Sequence, residues 1–179
     1  MALTATVYNL DVELADVDRG VYESLTLRVA REPSETAEYM LTRVLAYCLE
    51  YTEGIALTGG VASGDEPAVV VRDLTGRLTA WIEVGMPDAA RVHRGSKMAG
   101  RVAVYTHRDP GQLLAKWSGE RIHNVKDIPV FAFDRGLIEA TAARLERRST
   151  LSLSITEREV YLELEGWTCV LVMTEHRAS

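Results

Sequence analysis

Cysteine is scarce in this 179-residue chain: the two present are Cys48 and Cys169. Neither has CxxC spacing or a nearby histidine, which argues against a zinc site or disulfide and for packing thiols in a reducing compartment. Long apolar runs are missing too. No stretch approaches the roughly 18 residues of a membrane-spanning helix, and Met1 to Asp16 lacks the basic-then-apolar shape of a signal peptide. A cytoplasmic protein without membrane contact is expected. Positive charge is in short supply, 20 Lys+Arg against 26 Asp+Glu for a net charge of −6. That argues against tight, indiscriminate duplex binding, which draws its affinity from phosphate neutralisation. Repeats and low-complexity segments are absent. The glycines of Gly59 to Gly64 are followed by Asp65-Glu66 instead of Gly-Lys-Ser/Thr, so they read as a turn and not a phosphate loop. His93, His107, His123 and His176 stand in no motif that would pair a base with a nucleophile.

What is present is an ordinary globular composition, 47% hydrophobic and 26% charged, sufficient for one domain over residues 1–179. Alternation in Thr6 to Val12 and Leu25 to Val29, joined across Asp16 to Gly20, predicts an opening hairpin. Pro33-Ser34-Glu35 starts a helix, capped by Ser34, whose apolar positions Met40, Leu41, Val44, Leu45 and Cys48 recur at helical spacing up to Gly54. Three strands are expected next, Ile55 to Val61, Ala68 to Val71 and Leu78 to Val84, as a meander. A helix from Pro87-Asp88 to Gly100 then crosses over to a parallel strand, Val102 to Tyr105. Asp109-Pro110 opens a further helix, Val130 to Phe133 is a strand, and Asp134 caps a helix to about Arg147. From Thr150 the period is two, and a terminal β-meander follows. The fold class is mixed α/β.

Carboxylates carry the chemical argument. Asp65 lies in a Gly-Asp-Glu-Pro turn before one strand, and Glu83 sits within the apolar run Trp81-Ile82-Glu83-Val84, where a buried acid requires a partner. Antiparallel pairing of the two strands brings both acids to one sheet edge. Glu38, one turn into the first helix, is placed to be a third acid; converging carboxylates are what Mg2+ or Mn2+ requires. Beside them runs the one basic zone, Arg91, Arg94, Lys97, Arg101 and Arg108, of which Arg91, Arg94 and Lys97 share a helical flank suited to phosphate. The plain alternatives are turn chemistry for Asp65, an exposed helix charge for Glu38 and a solvated face for the basic residues.

A helix with an acid, three strands with acids at the start of the second and in the third, then a helix and a parallel strand, resembles the PD-(D/E)XK nuclease core over Glu35 to Tyr105. Across most of its length the chain is also similar to the bacterial YaeQ family. The residues that carry this are Met1-Ala2-Leu3, Ala5-Thr6, Pro33-Ser34-Glu35-Thr36 with Glu38, Asp65-Glu66-Pro67, Trp81-Ile82-Glu83-Val84-Gly85, Pro87-Asp88 and Val104-Tyr105-Thr106. The resemblance implies an αβββαβ core at about 34–106 with β-hairpins added at both ends as extra sheet. It also implies metal ligation by Asp65 and Glu83. Gly85 departs from the nuclease pattern, in which a lysine stands two residues after the glutamate; Arg91, Arg94 or Lys97 would have to replace it.

Two functions are therefore expected to compete. One is a Mg2+-dependent nuclease-like phosphodiesterase acting on nucleic acid, with Asp65 and Glu83 as metal ligands, Glu38 as outer acid, and Lys97 or Arg94 stabilising phosphorane charge. The other is a catalytically degenerate binding module on the same framework, for which Gly85 is the support. A dimeric scaffold using exposed hairpin edges is compatible with either.

Overall fold

The structure, a computed structural model, describes residues 4–59 and 65–179. The opening alternation forms strands β1 (Thr6–Asp16) and β2 (Val21–Arg31), antiparallel from Thr6↔Arg31 to Asp16↔Val21. Leu10, Val12 and Leu14 of β1, and Leu27 and Val29 of β2, are buried while their neighbours face out, as the period-two pattern requires. Local signals also place helix α1 (Ala37–Leu49), β3 (Ile55–Leu57), β4 (Val69–Arg72), β5 (Leu78–Val84), α2 (Ala89–Met98) and β6 (Arg101–Thr106). The expected order of helix, three strands, helix and strand is thus present. After it come α3 (Pro110–Trp117), β7 (Val130–Ala132), α4 (Arg135–Ala142), β8 (Arg148–Thr156), β9 (Glu159–Leu164), β10 (Trp167–Val172) and β11 (Thr174–His176). Among the described residues no helix is long and apolar enough to cross a membrane.

The strands make two sheets, ordered β10-β9-β8-β1-β2 and β11-β7-β6-β5-β4-β3. In the first, the terminal segments do not stand apart as separate hairpins: β1 pairs parallel with β8, Asn9↔Arg148 to Asp16↔Ile155, so the two ends of the chain share one sheet. In the second, β4 and β5 are antiparallel, whereas β5, β6 and β7 run parallel. Helix α1 supplies the shared core: Met40, Leu41, Val44 and Leu45 are fully buried with residues of both sheets. Each such side chain contributes about 1.5–3 kcal/mol by leaving water. Helix α2 covers the opposite face of the second sheet, where Val92 packs with Trp81.

Several expected boundaries move. The cap of α1 is Thr36, not Ser34; its hydroxyl accepts from the Tyr39 N–H at 3.1 Å. The reason is Glu35, whose N–H bonds the Glu32 carbonyl in a turn and whose side chain goes inward, delaying the helix by two residues. Helix α4 stops at Ala142 because Arg144 and Leu145 donate to the Thr141 and Ala142 carbonyls, three residues back, closing it with a tighter turn ahead of β8. β3 runs from Ile55 to Leu57, and the expected extension toward Val61, like the turn assigned to Gly59 to Gly64, runs into residues 60–64, outside the described ones. Cys48 is fully buried, its thiol pushed up to about 12 by burial, so it packs and does not react; Cys169 is half-buried.

Candidate functional site

Strand β5 alternates between two helices. Ala80, Ile82 and Val84 belong to the core beneath α1, while Trp81 faces α2, and Glu83 shares its parity. Glu83 is 4% exposed. A carboxylate there needs a cation, and α2 supplies it: Arg91 Nε and Nη2 donate to the two carboxylate oxygens, each at 3.1 Å. The same guanidinium donates to the Glu66 carbonyl at 2.7 Å, tying the strand to the segment before β4. Burial holds the Glu83 carboxyl above its ordinary range despite Arg91, while hydrogen bonding to Glu83 raises Arg91. One turn along, Arg94 Nη1 lies 3.3 Å from Asp65, whose side chain is almost fully exposed.

Two features place α2 this closely. Asp88 caps it, accepting from the Arg91 N–H at 2.9 Å. At Gly95 a Cβ would lie 2.4 Å from the Trp81 ring, so only glycine lets the helix rest on that indole and bring Arg91 over Glu83. Gly85 has its own requirement. Its φ is +85°, and a Cβ would approach the Tyr39 ring to 3.3 Å. The position where the nuclease pattern has lysine is therefore one that left-handed backbone reserves for glycine. Gly85→Lys should lower stability by about 1–2 kcal/mol from backbone strain alone, read as a lower urea midpoint, and a midpoint equal to the parent's would overturn this account.

Of the residues singled out in the sequence, Asp65, Glu83, Arg91 and Arg94 are drawn together through α2. Lys97 is on the same helix but exposed, without an ion pair among the described residues. Glu38 goes elsewhere. It lines a cleft of about 320 Å³ with Tyr39, Gly85, His107, Arg108 and Arg135, a cleft that Asp65 and Glu83 do not line. The expected single basic zone also divides: Arg101 forks onto Glu50 at 2.9 and 2.6 Å, and Arg108 belongs to the cleft. Sequence spacing placed these cations on one segment, but β6 carries them to different faces.

Whether Mg2+ fits is decided by these contacts. Both Glu83 oxygens are engaged by Arg91, Asp65 is on Arg94, and among the described residues no three His, Cys, Asp or Glu side chains are grouped to hold a metal. As arranged, the residues do not fit the ion. What stands there is a self-neutralised array of two carboxylates and two guanidiniums.

The cleft holds residues that sequence reasoning passed over. It opens at the carboxyl ends of parallel β5 and β6, the place where sheets of this type present ligands. His107 is 8% exposed; its Nδ1 is 3.3 Å from Thr42 Oγ1, which itself donates to the Glu38 carbonyl at 2.8 Å. Burial and then Arg108 push the imidazole pKa down, which favours the neutral ring. Glu35, also part of the cleft wall, pairs with Arg43 at 3.0 Å, both side chains essentially buried. Tyr39 stands between the two regions, its hydroxyl pushed up to about 12 by burial first and the charge of Glu83 next. The sequence signal for the buried pair was Arg43, three residues after Met40 on the core-facing side of α1.

The fold has counterparts among solved structures. The sequence profile described as YaeQ protein matches residues 1–173. The chain is 31% identical to the uncharacterized protein YaeQ of Escherichia coli (strain K12) over 163 residues, 90% of each chain. It is 30% identical, with the same coverage, to that of Salmonella typhi. The crystal structure of the YaeQ protein from Pseudomonas syringae superposes with a TM-score of 0.88 at 30% identity, over 98% of this chain and 97% of that one. The YaeQ protein from Xanthomonas axonopodis pv. citri gives 0.87 at 27%, over 98% and 100%. With the profile matched over residues 1–173 and relatives 30–31% identical over 90% of each chain, the chain belongs to the YaeQ family.

Proposed function

We propose that the protein is a cytoplasmic binding module that engages nucleic-acid strands through their phosphates along α2, on a framework similar to the PD-(D/E)XK core. In this reading Glu83 serves to anchor Arg91 and holds no metal. The observation that carries it is the Arg91 fork across both Glu83 oxygens. A bidentate pair in a nearly buried position is both strong and geometrically specific, and a metal ion would have to compete with the guanidinium charge for the same two oxygens. The outer part of the array is looser. Arg94 is half exposed and its partner Asp65 fully so, a pairing of little net worth that a phosphate can replace. Lys97 extends the cationic flank in the direction of the helix. With so few contacts on a chain of net charge −6, binding should be local and weak, with a shallow salt dependence set by the two or three phosphates it can neutralise.

The hydrolytic reading, a Mg2+- or Mn2+-dependent phosphodiesterase with Asp65 and Glu83 as ligands, has one observation in its favour: both acids meet α2 within a helical turn of each other. It requires Arg91 and Arg94 to release them. Calorimetric titration of Mn2+ and fluorescence anisotropy with labelled single-stranded DNA and RNA separate the two. The binding module should show strand affinity that drops with Arg94→Ala and Lys97→Ala, and no Mn2+ heat that depends on Glu83. Mn2+ binding lost in Glu83→Gln, accompanied by shortened strands, would replace the proposal with the nuclease.

A further inference from the structure

The outer face of the first sheet carries a second, chemically different site. Because Leu10, Val12 and Leu14 point into the core, Asp11, Glu13 and Ala15 of β1 point away from it, and pairing registers extend each into a row across the sheet. The first row is Tyr22, Ala15, Ser154, Tyr161, Val170; the second is Ser24, Glu13, Ser152, Glu163, Thr168. Together they line a hollow of about 950 Å³. Tyr22 is 63% exposed, Tyr161 47% and Val170 40%, an unusual set to leave in water on one side of a sheet. The small residues Ala15 and Ser154 between the two rings make the floor.

The charges select the occupant. Glu13 and Glu163 project into the hollow, and no lysine, arginine or histidine is among its residues. Ser24 donates to Glu13 at 2.7 Å, which orients that carboxylate without neutralising it. Among the described residues neither carboxylate is in an ion pair. The Tyr161 hydroxyl donates to Glu159 at 2.8 Å, so the ring is steadied while it stays half exposed. Carboxylates beside open aromatic rings are complementary to guanidinium and ammonium groups, through charge on one row and cation–π contact on the other. They repel phosphate, so this is not a nucleic-acid platform. A second copy of the chain would bring an identical acidic hollow, like-charged and concave against concave.

We propose that this face binds an extended, arginine- or lysine-rich peptide segment laid across the strands. Three strand steps separate Tyr22 from Tyr161, about 14 Å, which matches residues four apart in an extended peptide at roughly 3.3 Å each. Arginines at that spacing would stack on both rings while neighbouring cations reach the acidic row, about 7 Å away. The site does not depend on the function assigned to Arg91.

The test uses fluorescein-labelled octaarginine and the full chain at low and physiological salt. Anisotropy should report saturable binding that falls at least tenfold in a Glu13→Gln/Glu163→Gln double variant and several-fold in Tyr22→Ser and in Tyr161→Ser. All four substitutions are at exposed or half-exposed sites, and far-UV circular dichroism checks the fold. Glu53→Gln, an exposed acid outside the hollow, is the control for net charge and should bind within twofold of the parent. No binding at low salt would overturn the proposal, as would losses in Glu53→Gln that match half of the double variant's. Sedimentation showing a dimer that excludes the peptide would assign the face to a second copy instead.

Discussion

Arg43→Met should be the most damaging single substitution, costing about 3–5 kcal/mol because it leaves the Glu35 carboxylate buried without its counter-ion. The pair is essentially inaccessible, and Arg43 does more than neutralise charge: its Nη2 donates to the Ala30 carbonyl at 2.9 Å and its Nη1 to Thr58 at 3.1 Å. It therefore joins the end of β2, helix α1 and the segment after β3, and its loss orphans two carbonyls as well as an acid. Burial already holds Glu35 above its ordinary pKa, with Arg43 as the principal opposing influence. Without Arg43 the folded pKa rises further. A folded value above the unfolded one means that stability is retained below the unfolded pKa and lost as pH climbs through the folded one. Urea unfolding should accordingly show a smaller deficit near pH 4 than at pH 8. Adding Glu35→Gln should recover part of the loss at pH 8 but not all, since the two carbonyls still lack donors. An equal deficit at both pH values would show that the charge of Glu35 is not the cause.

The second large effect is expected at the candidate site. Arg91→Ala should cost about 2–3 kcal/mol, less than the full penalty for breaking a buried pair because Arg91 itself is partly exposed, at 29%. Glu83 then keeps the burial that raises its pKa and loses the arginine that opposes it. The sign is the same as for Glu35: the variant should approach the parent in acid and fall away from it as pH rises through the folded value. The readout that distinguishes this residue from Arg43 is local. Arg91 also holds the Glu66 carbonyl, so limited proteolysis should cut the variant near Asp65 while the sheets stay protected. If stability at pH 8 is unchanged, Glu83 does not depend on Arg91, and the reading of Glu83 as an anchor fails.

Much of this site was legible in the sequence because its signals are local. An acid inside Trp81-Ile82-Glu83-Val84 announces a need for a partner, and Arg91, Arg94 and Lys97 at three-residue spacing announce a cationic helix flank. Which arginine meets which acid was not legible, since that depends on how closely α2 lies on β5, and this turns on the missing Cβ of Gly95 against Trp81. Glu38 illustrates the opposite outcome. Its place on the first turn of α1 is correct, yet it lines the cleft with His107 and not the Glu83 array. His107, set aside for want of a motif, and Arg43, not singled out, share one reason: a polar residue in an otherwise apolar neighbourhood reveals its partner only when distant segments are in contact, here Thr42 across 65 residues and Ala30 of β2.

By itself the sequence determined the elements and their sidedness: period two for the terminal strands, period 3.6 for α1, caps at Asp88, Asp109 and Asp134, and the parallel crossover into β6. These depend on neighbours a few residues apart, whose sterics and hydrogen bonds act within any chain carrying them. Only the tertiary structure decided that β1 and β8 join the chain ends in one sheet, that Glu83 belongs to Arg91, that Glu35 belongs to Arg43, and that two tyrosines and two glutamates line up across four strands. Such pairings join residues far apart in sequence, and many registers satisfy the same hydrophobic pattern. The choice among them comes from packing both sheets around α1 at once.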